Sequence, residues 1–302
     1  MPTAPDTGEQ TIHPTAIVSD EATIEGGVTI GPGCIVEGPA ILRAGVHLIA
    51  NVYIAGDTVI GEGSTVYPYT CVGFGPQHIK IRPGSPIGGT TIGKDCVLRE
   101  HSTIHAAMEP GNRTIVGDRL FLMSTAHIGH DCIVGDDVVL CNSALAAGHV
   151  EIGDRAFISG NAAIHQFCRV GRNAMLGGGK VASLDVPPYC TLVEMNSLGG
   201  LNLVGMRRSG MSRDDIGLCK DAYRLAFRVR NTRDEQLDIL DRLGAQCEPV
   251  RSMAEFVRGS TRGVCLGDGR PRPHTMQWMR TDEARSTFDG HPPVSTGDEG
   301  ED

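Results

Sequence analysis

Aromatic side chains make up only 4% of this 302-residue chain: seven Phe, five Tyr and a single Trp. Glycine is abundant at 40 residues, and the balance is foreign to most globular enzymes with ring-filled cores. The ten cysteines include no C-x-x-C pair, and disulfide frameworks belong to much shorter secreted chains. Reduced thiols in a cytoplasmic protein are therefore expected. No run approaches the roughly 18 apolar residues of a membrane span, so stable membrane insertion is not expected. The opening "MPTAPDTGEQTIHP" lacks the charged and apolar regions of a signal peptide. A net charge of −9 makes nucleic acid an improbable partner. What remains is 40% hydrophobic residues, enough for one large or two modest domains with real cores.

The apolar residues keep time. Aliphatic side chains fall at Ile12, Val18, Ile24, Ile30, Val36, Leu42, Leu48, Ile54, Ile60, Val66 and Val72 without a miss. The series stops for "GFGPQHIKIRPGSPIGGTT", resumes at Ile92, Leu98 and Ile104, and breaks again at "AAMEPGNRT". It then runs from Val116 through Leu122, Ile128, Val134, Leu140, Ala146, Ile152, Ile158, Ile164 and Val170 to Leu176. Glycine follows the aliphatic residue at Gly117, Gly135, Gly153 and Gly171, a superperiod of 18 residues. Neither the helical period of 3.6 nor simple strand alternation makes three equivalent sixes. A coil of three short strands and three corners does, with one aliphatic side chain per side turned inward. The pattern predicts a parallel β-helix of the hexapeptide kind. Coils stacked at roughly 4.8 Å leave a narrow core suited to Val, Ile and Leu, which accounts for the missing rings.

The predicted organisation is a flexible stretch over 1–11, a β-helix over 12–190 with loops near 73–91 and 106–114, and a small helical domain over 191–266. A disordered tail, rich in Pro, Gly, Asp and Glu, is expected over 267–302. Ser212 with Asp215 gives a capping-box-like start to "RDDIGLCKDAYRLAFRV", and "TRDEQLDILDRLGAQ" and "VRSMAEFVRGS" read as two further helices. Between Val204 and Arg233 stand Arg207, Arg208, Arg213, Lys220, Arg224, Arg228, Arg230 and Arg233 against Asp214, Asp215 and Asp221. Such a basic face on an acidic chain suits an acidic partner or phosphate; a merely solvated helix face is the alternative.

The 18-residue frame also gathers histidines. His105 falls 13 places into its coil, His127 and His130 fall 11 and 14 into the next, His149 15 into the third and His165 13 into the fourth. Five of eleven histidines thus share one edge of a prism, and both interruptions leave beside it. Singly, each could be a corner residue bonded to backbone. Together they suggest three imidazoles on a zinc ion, or a general base that activates a hydroxyl.

The motifs "AHIGHDCIVG", "LAAGHVEIG", "AAIHQFCRVG", "DVPPY" and "FVRGSTRG" resemble those of the UDP-N-acetylglucosamine acyltransferases, from about Ile12 to Gly263. That resemblance implies a homotrimer of left-handed parallel β-helices with C-terminal helices. It implies transfer of a 3-hydroxyacyl chain from acyl carrier protein to the 3-position of a UDP-sugar, the first step of lipid A biosynthesis, without a metal or other cofactor. It makes His130 the general base, Asp131 the acid beside it and Gly148 the oxyanion donor. It assigns substrate contacts to Gln77, His78, Lys80, His105, His127, His149, His165, Gln166, Asn202 and Arg208, and an acyl-length ruler to Gly178. The chain departs from the family pattern at His78 (usually Asp), Met195 (His), Val204 (Glu) and Ser209 (Arg), all toward the acceptor, which leaves a 3-amino analogue of the sugar open. A related N-acyltransferase would be expected to carry a further N-terminal domain, for which there is little room before Ile12. The trimeric zinc carbonic anhydrases share the repeat and are the rival from another reaction class.

Overall fold

The computed structural model describes residues 10–82 and 84–267. The expected tail over 267–302 lies outside them except for Gly267, and so does nearly all of 1–11; Thr11 already pairs with Thr29.

Strands of mostly two residues wind through three parallel faces. The first face runs from Thr11–Ile12 to Met175–Leu176, the second from Ile17–Val18 to Val181–Ala182 and the third from Thr23–Ile24 to Arg169–Val170. Register follows the repeat. Ile128 sits beneath Ala146 and Ala146 beneath Ile164, so each aliphatic residue stacks on the one 18 later. Within one coil Leu122, Ile128 and Val134 are at most 2% exposed. The architecture is a left-handed parallel β-helix.

From Arg119 to Asn173 every sixth residue, at a corner, adopts positive φ, including Asp131 at 58° and His149 at 59°. L-residues enter this region at a cost of about 1 kcal/mol. Cross-coil bonds offset it: His149 N–H donates to the His130 carbonyl at 2.9 Å, and Asp131 N–H to Thr114 Oγ1 at 2.8 Å.

Both interruptions connect the second face to the third, leaving Val72 and Ile104 and rejoining at Ile92 and Val116. They are stitched to each other by Gly88 N–H to the Ala107 carbonyl and Gly89 N–H to the Asn112 carbonyl, each 2.9 Å. The Arg113 guanidinium closes the base of the second loop on Asp57 at 2.6 Å.

The segment after 190 begins with strands rather than helix. Cys190–Glu194 and Ser197–Leu201 form an antiparallel hairpin that extends the first face. Helices follow at α1 (Leu203–Arg208), α2 (Arg213–Ala222), α3 (Arg233–Gly244) and α4 (Glu248–Arg258). Ser212 caps α2 through Asp215 N–H at 3.0 Å, and the full reciprocal capping box belongs to α3, between Thr232 and Glu235. Tyr223–Phe227 is a π-helical turn, not the continuous α-helix the sequence suggests; Arg228 N–H reaches back five residues to the Tyr223 carbonyl at 3.1 Å. The chain then returns to the β-helix: Asp185 N–H donates to the Gly263 carbonyl at 2.9 Å, and Cys265 N–H to the Asp185 carbonyl at 2.8 Å. All ten cysteines are free thiols, and among the described residues no helix is long and apolar enough to cross a membrane.

Candidate active site

The edge between the second and third faces carries the histidines, because the repeat sets the same corner positions above one another. His130 Nδ1 lies 2.8 Å from Asp131 Oδ2, and both side chains are largely buried. The same oxygen accepts the Met108 N–H at 3.0 Å. An ionised carboxylate only accepts, so His130 carries its proton on Nδ1 and keeps a lone pair on Nε2. The second loop, through Met108, and the third face, through Thr114, therefore hold Asp131, and Asp131 holds His130.

Gly148 lies directly beyond the ring. A Cβ at this position would stand 2.5 Å from His130 Cε1 and Nε2. Only glycine lets the ring lie over the backbone, and the Gly148 N–H has no hydrogen-bond partner among the described residues. The base nitrogen thus lies against the backbone at Gly148, a residue whose N–H is unpaired among the described residues.

Other imidazoles pack around this centre. His149 meets His130 edge to face at 5.1 Å between centroids, and its other side stacks on Phe167 at 4.6 Å. His78, delivered by the first loop, approaches His130 at 6.1 Å. Its Nδ1 accepts the Lys80 N–H at 3.2 Å, which fixes the ring. His105 and His127 form a second edge-to-face pair at 4.8 Å, and His127 Nδ1 bonds Thr103 Oγ1 at 2.8 Å. Burial pushes His127 down to about 4, with His105 and His130 pushing the same way. Burial also lowers His105, His78 and His149; the Asp131 charge opposes the shift only at His149. Burial thus disfavours the charged form of the imidazoles around the base, while the Asp131 carboxylate is the charge beside it.

His165 is on the next coil and turns another way, with Nδ1 3.1 Å from the Gln166 carbonyl and 3.4 Å from Arg262. Gln77, Lys80 and Gln166 are exposed along the same edge. Asn202, Arg208 and Gly178 are not brought to it within one chain. Asn202 caps α1 by accepting the Gly205 N–H at 2.9 Å and donates to the Asn173 carbonyl; Arg208 is exposed in the last turn of α1; Gly178 stands at the corner between the first and second faces. Thr103, Thr114, Met108 and Arg262 were not anticipated from sequence. Thr103 could have been, because it shares the repeat register of His127.

His130, Asp131 and His149 offer donor atoms within 4.8 Å of one another, the one trio among the described residues with the spacing of a metal site. Asp131 Oδ2 is already taken by two hydrogen bonds, the arrangement of an oriented acid–base pair. A separate groove between the third face and α4 is walled by the Arg169–Glu151 and Arg172–Glu248 pairs and holds no histidine.

A family model described as UDP N-acetylglucosamine O-acyltransferase, domain 2, matches residues 185–265. The acyl-(acyl-carrier-protein)–UDP-N-acetylglucosamine O-acyltransferase of Thermodesulfovibrio yellowstonii is 41% identical over 256 residues, covering 84% of this chain and 98% of that one. This chain belongs to the UDP-N-acetylglucosamine O-acyltransferase family. Solved family structures agree over the same span. The Moraxella catarrhalis UDP-N-acetylglucosamine O-acyltransferase superposes with a TM-score of 0.80 at 37% identity, over 84% of this chain and 99% of that one. The Francisella novicida UDP-N-acetylglucosamine acyltransferase gives 0.81 at 28% identity, over 87% and 100%. The O-acyltransferase match includes both loops and the helices, so it extends well beyond the shared hexapeptide repeat.

Proposed function

We propose that this chain moves a 3-hydroxyacyl group from acyl carrier protein to the 3-hydroxyl of UDP-N-acetylglucosamine, the first step of lipid A biosynthesis. The observation that carries this reading is the Asp131–His130–Gly148 alignment, read in a member of this family. A sugar hydroxyl is a poor nucleophile until its proton is removed. His130 Nε2 takes that proton as the oxygen attacks the thioester carbonyl. Asp131 stabilises the imidazolium that results. The oxyanion of the tetrahedral intermediate meets the Gly148 N–H, and collapse breaks the carbon–sulfur bond. The departing pantetheine sulfur then recovers the proton from His130, leaving an ester and a free thiol.

Asn202 and Arg208 belong to α1 and Gly178 to the corner between the first and second faces, so a homotrimer is the assembly in which a neighbouring copy can supply the nucleotide contacts and the acyl channel. A cytoplasmic location suits a carrier-protein substrate and ten free thiols. The decisive experiment is incubation with carrier protein bearing acyl chains of several lengths and with UDP-N-acetylglucosamine or its 3-amino analogue, read by mass spectrometry. The 3-amino analogue belongs in the assay because His78, Met195, Val204 and Ser209 replace family residues at the acceptor end. The histidine–aspartate trio keeps a zinc carbonic anhydrase as the second reading. One zinc per subunit together with carbon dioxide hydration and no acyl transfer would overturn the proposal.

Gly178 permits a longer acyl chain if it lines the channel. A Cβ there would meet only the Gly160 carbonyl, at 3.6 Å, so Gly178→Met can be built without moving the backbone. Its side chain is expected to shorten the preferred chain, since each excluded methylene forfeits about 0.8 kcal/mol. An unchanged length profile would remove Gly178 from the channel.

The basic helices are expected to receive the acidic carrier. Arg228 and Arg230 are exposed without an ion pair among the described residues, whereas Arg224 shares Asp221 at 3.1 Å. Replacing Arg224 and Arg228 by Glu should raise KM for acyl carrier protein severalfold, with little change in kcat or in activity on a short acyl-pantetheine. Charge steering acts over a Debye length of roughly 8 Å and so affects encounter rather than chemistry. Equal losses on carrier and analogue would assign these arginines to the fold.

A further inference from the structure

Arg262 lies 97 residues from His165 in sequence, yet its guanidinium NH2 stands 3.4 Å from His165 Nδ1. The same group donates to the Ser183 carbonyl through Nε at 3.4 Å and NH2 at 3.3 Å. Behind it lies Asp185, 1% exposed. Asp185 is fixed from two directions: Oδ1 accepts the Arg169 N–H at 2.8 Å, and its backbone bonds both Gly263 and Cys265 on either side of the return segment. The backbone beside Arg262 is thus laddered to the last coil, and its head group is held by a carbonyl next to a buried carboxylate. It is a fixed cation rather than a mobile surface chain. His165 Nδ1 lies between the Gln166 carbonyl at 3.1 Å and this guanidinium, and a neutral ring that accepts the Arg262 N–H there carries its proton on Nε2. Nε2 is then the ring nitrogen left to meet a substrate.

We propose that Arg262 is a positioning residue for the acyl acceptor: it holds the His165 ring so that Nε2 faces the groove. This rests on the acyltransferase reading, in which His165 contacts substrate. It also gives the return segment after α4 a part in acceptor binding, beyond closing the end of the β-helix.

The test is a double-mutant cycle on the full chain, with Arg262→Met and Arg262→Lys made alone and in a His165→Ala background. Arg262→Met should raise KM for the UDP-sugar about five- to twentyfold with kcat within about twofold, in the range of coupling between touching residues. Arg262→Lys keeps the charge beside Asp185 but loses the planar fork; it should shift KM in the same direction with a melting temperature close to wild type. In the His165→Ala background neither change should move KM more than about twofold, because no ring remains to be positioned. KM effects that multiply independently, or a lowered melting temperature with KM unchanged, would overturn the proposal and leave Arg262 a structural brace. A wild-type chain that acylates no nucleotide sugar would count against the acyltransferase reading instead. The contact itself is then read from the ¹⁵N shifts of His165, which Arg262→Lys moves if the guanidinium holds the ring and leaves in place if it does not.

Discussion

His130→Ala is expected to lower turnover by a factor of about 100 or more while the β-helix stays intact, the usual size of a general-base contribution. The argument starts from the proton on Nδ1. Asp131 Oδ2 accepts both that proton and the Met108 N–H, so the ring cannot turn its lone pair inward without losing a charge-assisted bond. His149 is the poorer base, because burial lowers its proton affinity despite the opposing Asp131 charge and no hydrogen bond among the described residues fixes its tautomer. Nor can His127, whose Nδ1 is committed to Thr103 and which burial holds down to about 4, too weak a base to take the proton. Steady-state rates, with circular dichroism to check the fold, measure the effect. Retention of more than about a tenth of the wild-type rate would mean that another group removes the proton. Asp131→Asn should fall between the two, since it keeps the shape of the site but disfavours the imidazolium and the required tautomer.

The β-helix was legible because its signal is local and repeated. Each six-residue unit places one side chain inside, so Leu122, Ile128 and Val134 announce three faces by spacing alone. The same frame puts histidines on one edge but cannot say which way each ring turns. His105 pairs with His127, His130 pairs with His149, and His165 faces Arg262 instead. Those choices depend on partners from distant segments, and no period connects Arg262 to His165 or Met108 to Asp131. The hairpin over 190–201 was missed for a related reason: it extends an existing sheet edge, and pairing to that edge overrides the weak local preference of "CTLVEMNSLGGL". The π-turn at Tyr223–Phe227 leaves both rings buried, a tertiary demand that the sequence expresses only as helix.

Gly148→Ala replaces a single hydrogen by a methyl group and should cost about as much activity as losing the base. An alanine Cβ would stand 2.5 Å from His130 Nε2 and Cε1 and 3.1 Å from Cδ2, closer than side-chain carbons approach. Something must move, and the backbone has no reason to: Gly148 is not among the positive-φ residues, so alanine suits its conformation. The ring is therefore displaced, stretching its bond to Asp131 and carrying Nε2 away from the substrate hydroxyl. A misplacement of about 1 Å costs on the order of 100-fold in rate, and crowding of the N–H proposed to meet the oxyanion would add to it. Circular dichroism and a thermal melt check that the fold survives the displacement. The comparison that decides is Gly148→Ala against Gly148→Ala with His130→Ala. If the ring and the glycine act as one unit, the double variant is no slower than His130→Ala alone. A Gly148→Ala protein that keeps half its activity would mean that the ring does not lie over this residue during turnover.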